Sequence, residues 1–279
     1  MGSHPLQSRF AQAALPLEVA TVPFARAIGA EALVQLDIVR DRRGERFRLW
    51  PGGARCRIEV EGTDRRLQQL VLLVDEPKQS FEVEIGRWVV PDRPIVRREG
   101  HRRWVRHETE GAKRHFLMGL DEAHLFIAQL PRGVSTVARA RELLRGPDVS
   151  RAERDAPFRT VRQGEWFLVA LDPSRSLALD ALAEARPTLV RHRVGIAEAA
   201  RWARAGRQHV ADDVLVLGAG FHLGLPKHLV PPAVAAGPGV FVRGKLRHPD
   251  HATIELKQWR RALPNAESFS RPAGVAWVD

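Results

Sequence analysis

The residues best spaced for chemistry are the two histidines of His248-Pro249-Asp250-His251. The segments on either side, 240–247 and 252–256, read as extended chain. Pro at the second position and Asp at the third suit a type I turn. Such a turn holds its first and fourth Cα atoms within about 7 Å, so both imidazoles leave the same end of one hairpin. Imidazoles placed this way can share a metal ion or divide the roles of acid and base. Two are an incomplete coordination set. The stretch His209-Val-Ala-Asp212-Asp213 offers another imidazole and two carboxylates, and His222 and His228 are further candidates. The expected site is therefore His248 and His251 as catalytic or metal-binding residues, completed by His209, Asp212 and Asp213. Against it stands a plainer expectation, a good turn with two solvated histidines in a chain that carries 11 of them.

Two other stretches imitate known chemistry and fail on inspection. Gly239-Val-Phe-Val-Arg-Gly244-Lys245 has the spacing of a phosphate-binding loop, but Leu246 stands where a hydroxyl would hold Mg²⁺. Its middle also reads as a strand, which commits its amides to a ladder. Gly218-Ala-Gly220-Phe-His-Leu-Gly224 follows an apolar run as a dinucleotide-binding turn would. Pro226, Pro231 and Pro232 leave no room for the helix that must follow. Cys56 is the only cysteine, which excludes an intramolecular disulfide and any multi-cysteine metal site. It falls on the apolar side of an alternating pattern and is expected to be a structural thiol.

Charge supplies the second line of argument. There are 44 Lys+Arg against 33 Asp+Glu, a formal +11, and the excess is uneven. Before position 113 basic and acidic residues number 19 and 16; from 113 onward, 25 and 17. Such an imbalance attracts polyanions. All but five of the cations are Arg, a choice that a GC-rich genome explains as readily as phosphate recognition does. Two stretches concentrate them. One holds Arg97, Arg98, Arg102, Arg103 and Arg106 around Trp104, a combination suited to phosphates with an indole against a base. The other holds Arg191, Arg193, Arg201, Arg204 and Arg207, with Glu198 as the single acid across 186–207.

The elements that must position these groups follow from hydrophobic period. Val34, Leu36 and Ile38, then Phe47 and Leu49, then Cys56, Ile58 and Val60, then Phe81, Val83 and Ile85 alternate with polar residues, as half-buried strands do. The run Leu67–Val74 is apolar throughout much of its length and suits a strand covered on both faces. An N-terminal antiparallel β-sandwich or open barrel over 1–90 is expected, then a basic linker over 91–112. A mixed α+β domain over 113–279 completes an α+β, β-rich chain. In that last domain a hairpin turns at 120–123. Helices are expected from 135 to a stop at Gly146-Pro147, around 176–185, and over 194–205.

These readings favour a cytoplasmic nucleic-acid-binding protein with no cofactor, gripping phosphates through the linker and the C-terminal domain. The alternative is a metal-dependent nuclease or other hydrolase using the histidine hairpin, with a divalent metal as cofactor. A second alternative is an adaptor whose β domain docks a protein partner. No stretch approaches the length of apolar residues that would span a membrane, so no membrane partner is expected.

Overall fold

Period-2 alternation is realised as strands over most of the chain. The structure is a computed structural model and describes residues 4–24, 33–85, 94–155, 160–201, 208–218, 239–249 and 251–266. It is β-rich, with several antiparallel sheets. The described residues form two compact units, one of residues up to Leu120 together with Leu125–Leu143, the other of Asp121–His124 with Leu144–Ala266. Among them, no helix is long and apolar enough to cross a membrane.

The first unit opens with helix α1 (Pro5–Gln12), which the sequence pattern does not announce. Its strands are β1 (Leu17–Val19), β2 (Gln35–Asp41), β3 (Gly44–Trp50), β4 (Arg57–Asp64), β5 (Gln69–Glu76), β6 (Gln79–Ile85), β7 (Ile95–Glu99), β8 (Arg102–Thr109), β9 (Ala112–Asp121) and β10 (His124–Gln129). They make three sheets, ordered β1-β3-β2, β10-β9-β5-β4 and β6-β8-β7. Phe10 of α1, Leu36, Phe47 and Leu49 of the first sheet, and Leu70, Leu72, Phe116 and Met118 of the second share one core. The apolar run expected to be covered on both sides is β5, where Leu70 to Val74 are all at most 2% exposed. Outward charges pair across the first sheet: Glu18 on β1 meets Arg46 at 2.6 Å and Arg48 at 2.9 Å on β3. Cys56 packs against the shared core, and burial pushes its thiol pKa up, as befits a structural thiol.

Residues 95–109 are not a linker. They form β7 and β8, and β8 pairs along its length with β6. The sequence hides this because Arg and Glu occupy both faces of the segment, which erases the apolar alternation.

Helix α2 (Val137–Asp155) begins in the first unit and continues in the second, and is broken at Gly146, whose φ of 69° lies in the left-handed region. The expected stop is therefore a break, after which Pro147 starts a new helical run. There follow β11 (Val161–Gln163), β12 (Trp166–Ala170), α3 (Pro173–Ala185), a 3₁₀ turn at Pro187–Leu189, β13 (Val190–Gly195), α4 (Ile196–Ala200), β14 (Val210–Leu217), β15 (Gly239–His248) and β16 (His251–Pro264). Asp172 caps α3, accepting a hydrogen bond from the Ser174 amide at 2.9 Å. Instead of one helix over 194–205, the chain finishes β13, makes five helical residues and ends them at Arg201, whose φ is 57°. Residues 202–207 lie outside the described residues.

These strands build one six-stranded antiparallel sheet, ordered β11-β12-β16-β15-β14-β13. One core joins Trp166, Leu168, Val214, Val242 and Leu246 to Ile196 and Ala199 of α4. Another joins Leu215, Phe241 and Trp259 to Leu179 and Leu182 of α3. The sheet thus packs against α4 through one core and against α3 through another.

Candidate metal centre

Strand register brings three histidines to one end of this sheet. His248 and His251 are paired residues flanking the two-residue turn between β15 and β16. Val210 pairs with Arg247, so His209, one residue before β14, arrives beside His248. Asp250 lies outside the described residues, as do His222 and His228.

The turn between β11 and β12 closes over this end because β16 curls. At one end of β16, the Asn265 amide donates to the carbonyl of Glu165 at 2.7 Å. At the other, the Gln163 side chain donates to the carbonyl of Ala252 at 2.5 Å. Irregular register between Val242 and Gly244 and between Leu246 and His248 supplies the bend. Gly244 makes the first of these possible with a φ of 83°. A Cβ there would also fall 2.6 Å from the Asp212 Cβ.

The three imidazoles form a tight group. Ring centroids lie 4.2 Å apart for His209 and His248, 5.4 Å for His209 and His251, and 5.0 Å for His248 and His251. One nitrogen from each comes within 4.8 Å of the others. A tetrahedral zinc site with bonds of about 2.0–2.1 Å needs edges of about 3.3 Å, so modest ring rotations would complete three corners. The His209 side chain is fully buried, and its Nε2 has no hydrogen-bond partner. A buried imidazole nitrogen without a partner is costly, and a metal ion is one group that would satisfy it.

Two carboxylates stand on the other side of the rings. Glu165 Oε1 lies 3.3 Å from His209 Nδ1, a contact whose alignment falls short of a hydrogen bond. Glu122 Oε2 lies 4.0 Å from His251 Nδ1 and is anchored by the Ala252 amide at 2.9 Å. Both Nε2 atoms lie near Gly164, where a Cβ would fall 3.0 Å from His251 Nε2 and 3.2 Å from His209 Nε2. Burial, with the neighbouring His209 second, pulls the His251 pKa below its ordinary value. The ring is thereby held in the neutral form that a metal requires.

Asp212 and Asp213 do not join the group. Asp212 accepts from Arg247 at 2.6 Å and from the Lys245 amide at 2.8 Å. Those contacts hold its pKa below the usual carboxylate value. Asp213 is engaged by Arg243 at 2.8 Å and by His192 at 2.9 Å. Both carboxylates secure the irregular β14–β15 pairing. Glu122, Gly164 and Glu165 are the neighbours that sequence reasoning did not single out. Each sits in a hairpin turn far along the chain from the histidines, where Gly and Glu carry no chemical signature.

No family model, curated protein or solved structure matches this chain.

The Arg-rich stretches take different forms. On β7 and β8, Arg97 meets Glu82 at 3.2 Å and Glu99 at 2.8 Å, and Arg102 meets Glu84 at 3.6 Å. Arg106 is the register partner of Glu82, and Arg98 that of Arg103. Glu82 and Glu84 come from β6, upstream of the stretch, and offset part of its positive charge. Trp104 is only 7% exposed, with the Arg97 guanidinium 4.0 Å over its ring, and it offers no open platform to a base. In the second stretch, Arg191 and Arg193 are exposed on the edge strand β13 and Arg201 is exposed at the end of α4. Arg204 and Arg207 lie outside the described residues. The segment with phosphate-loop spacing lies within strand β15, and the Lys245 amide is taken by Asp212. All but the first residue of the glycine turn at 218–224 lies outside the described residues.

Proposed function

We propose that this protein binds one divalent transition-metal ion through His209, His248 and His251, and that the ion serves hydrolytic chemistry. The observation that carries the reading is the buried, unpartnered Nε2 of His209, which converges with two further imidazoles at the tip of a hairpin. An all-imidazole set suits zinc, copper or nickel, whereas magnesium and calcium prefer oxygen. Three protein ligands leave a fourth position for water, as catalytic zinc sites do, and a zinc-bound water has a pKa near 7. The chain's own residues would supply binding and orientation. His209 and His251 are held by the sheet and by the β11–β12 turn, and the buried surroundings restrict access of bulk water. The test is uptake: the purified full chain should take up one equivalent of zinc, and the His209→Ala variant should bind it far more weakly. A parent chain that takes up no zinc would refute the reading.

A second reading concerns the substrate class. The formal +11 and the exposed Arg191, Arg193 and Arg201 favour a polyanion, with nucleic acid first among the candidates. The first unit then acts as a scaffold, and we read its two sheets around a shared core as a sandwich preceding an α+β unit. A lone cysteine suits a reducing compartment, and we place the protein in the cytoplasm on that ground.

A further inference from the structure

Resting on that metal-binding reading, we propose that Glu165 and Glu122 are positioning residues that fix which nitrogen of His209 and His251 faces the ion. A neutral imidazole carries its proton on one nitrogen and offers a lone pair on the other. At metal sites the non-ligating N–H is generally held by a carboxylate, carbonyl or water, which sets the tautomer and raises the basicity of the ligand. The placement here matches that need at two rings independently. Glu165 lies against Nδ1 of His209, while Glu122 faces Nδ1 of His251. The Nε2 atoms of the same two rings both lie beside Gly164.

Neither carboxylate is placed by chance contact. Glu165 is adjacent to Gly164, and its own carbonyl is tied to the Asn265 amide at the end of β16. Glu122 follows β9 in a left-handed conformation with a φ of 56°. Its carboxylate is clamped by the amide of Ala252, the residue after His251. Glu122 is thus fixed beside the histidine it serves, and Glu165 is tied to the far end of the same strand. The distances of 3.3 and 4.0 Å close into hydrogen bonds when the rings turn toward a shared ion.

The experiment is a zinc titration of the full chain by competition with a chromophoric chelator, with folding of every variant checked by thermal unfolding in the absence of metal. Glu165→Ala and Glu122→Ala are each expected to lower zinc affinity about 10- to 100-fold. Glu165→Gln and Glu122→Gln keep an acceptor oxygen, are the safer variants for folding, and should recover most of that loss. Nitrogen-15 NMR of the zinc-loaded parent should show His209 and His251 protonated at Nδ1. Parent binding with all four variants within about twofold of it, or His209 and His251 protonated at Nε2, would overturn the assignment of the carboxylates. A parent that binds no zinc would instead overturn the metal reading beneath it.

Discussion

At the residue scale, the histidines and the aspartates of the 209–213 stretch separate into two roles. His209 is directed to the cluster by its position just outside β14, and Asp212 and Asp213 are drawn to arginines of β15. Sequence reasoning placed His248 and His251 on one turn and offered the 209–213 stretch only as one possible source of further ligands. It could not see that Arg247 and Arg243 would claim the carboxylates, since the pairing depends on a register set by irregular residues. Asp212 should therefore behave as a structural acid. Arg247 first, and the Lys245 amide next, lower its folded pKa. Its contribution to stability is then present above the unfolded value of about 3.9 and is lost as pH falls through the lower folded value. Asp212→Asn is expected to lose stability at pH 7, to show a flatter acid limb in denaturant titrations between about pH 4 and 2, and to keep its zinc affinity. A marked drop in zinc affinity with no change in the acid limb would return Asp212 to the coordination set.

At the scale of elements, the hairpins were legible and their curvature was not. The β9–β10 and β15–β16 hairpins follow from apolar runs flanking polar turns. The bend of β16, which lets the β11–β12 turn reach both of its ends, comes from register irregularities and from Gly244, and no periodicity records these. Strands β7 and β8 were hidden for a related reason, since charges on both faces leave nothing to alternate. Gly164 is the point where curvature meets chemistry. Its φ is 53°, and a Cβ there would lie 2.9 Å from His209 Cε1 and 3.0 Å from His251 Nε2. Gly164→Ala is expected to cost about 1–2 kcal/mol for the left-handed backbone alone and to weaken zinc binding by pressing the rings apart. Equilibrium denaturation and a zinc titration read the two effects separately. Zinc binding equal to the parent's would show that the ion does not lie on the Gly164 side of the rings.

At the scale of the whole molecule, net charge and charge placement have to be kept apart. The total of +11 was legible at once, but its distribution over surfaces depends on which strands become neighbours. Glutamates of β6 sit beside the arginines of β7 and β8, whereas β13 is an edge strand with two exposed arginines. Binding to a generic polynucleotide at low salt is expected to weaken steeply as salt rises, with a slope that falls by about 0.9 for each phosphate contact removed. Replacing Arg191, Arg193 and Arg201 together should weaken binding and flatten that slope more than replacing Arg97, Arg98 and Arg102 does. Equal effects from the two sets, measured by fluorescence anisotropy, would mean that attraction comes from total charge and not from the β13 edge.

On the proposed reading, His209, His248 and His251 together hold one metal ion. Zinc K-edge X-ray absorption on the full chain loaded with one equivalent tests it most directly. The expected spectrum has first-shell nitrogen or oxygen scatterers at about 2.0–2.1 Å and outer-shell scattering from three imidazoles, falling to two in the His209→Ala variant. A spectrum without imidazole scattering, or one unchanged by that substitution, would contradict the claim.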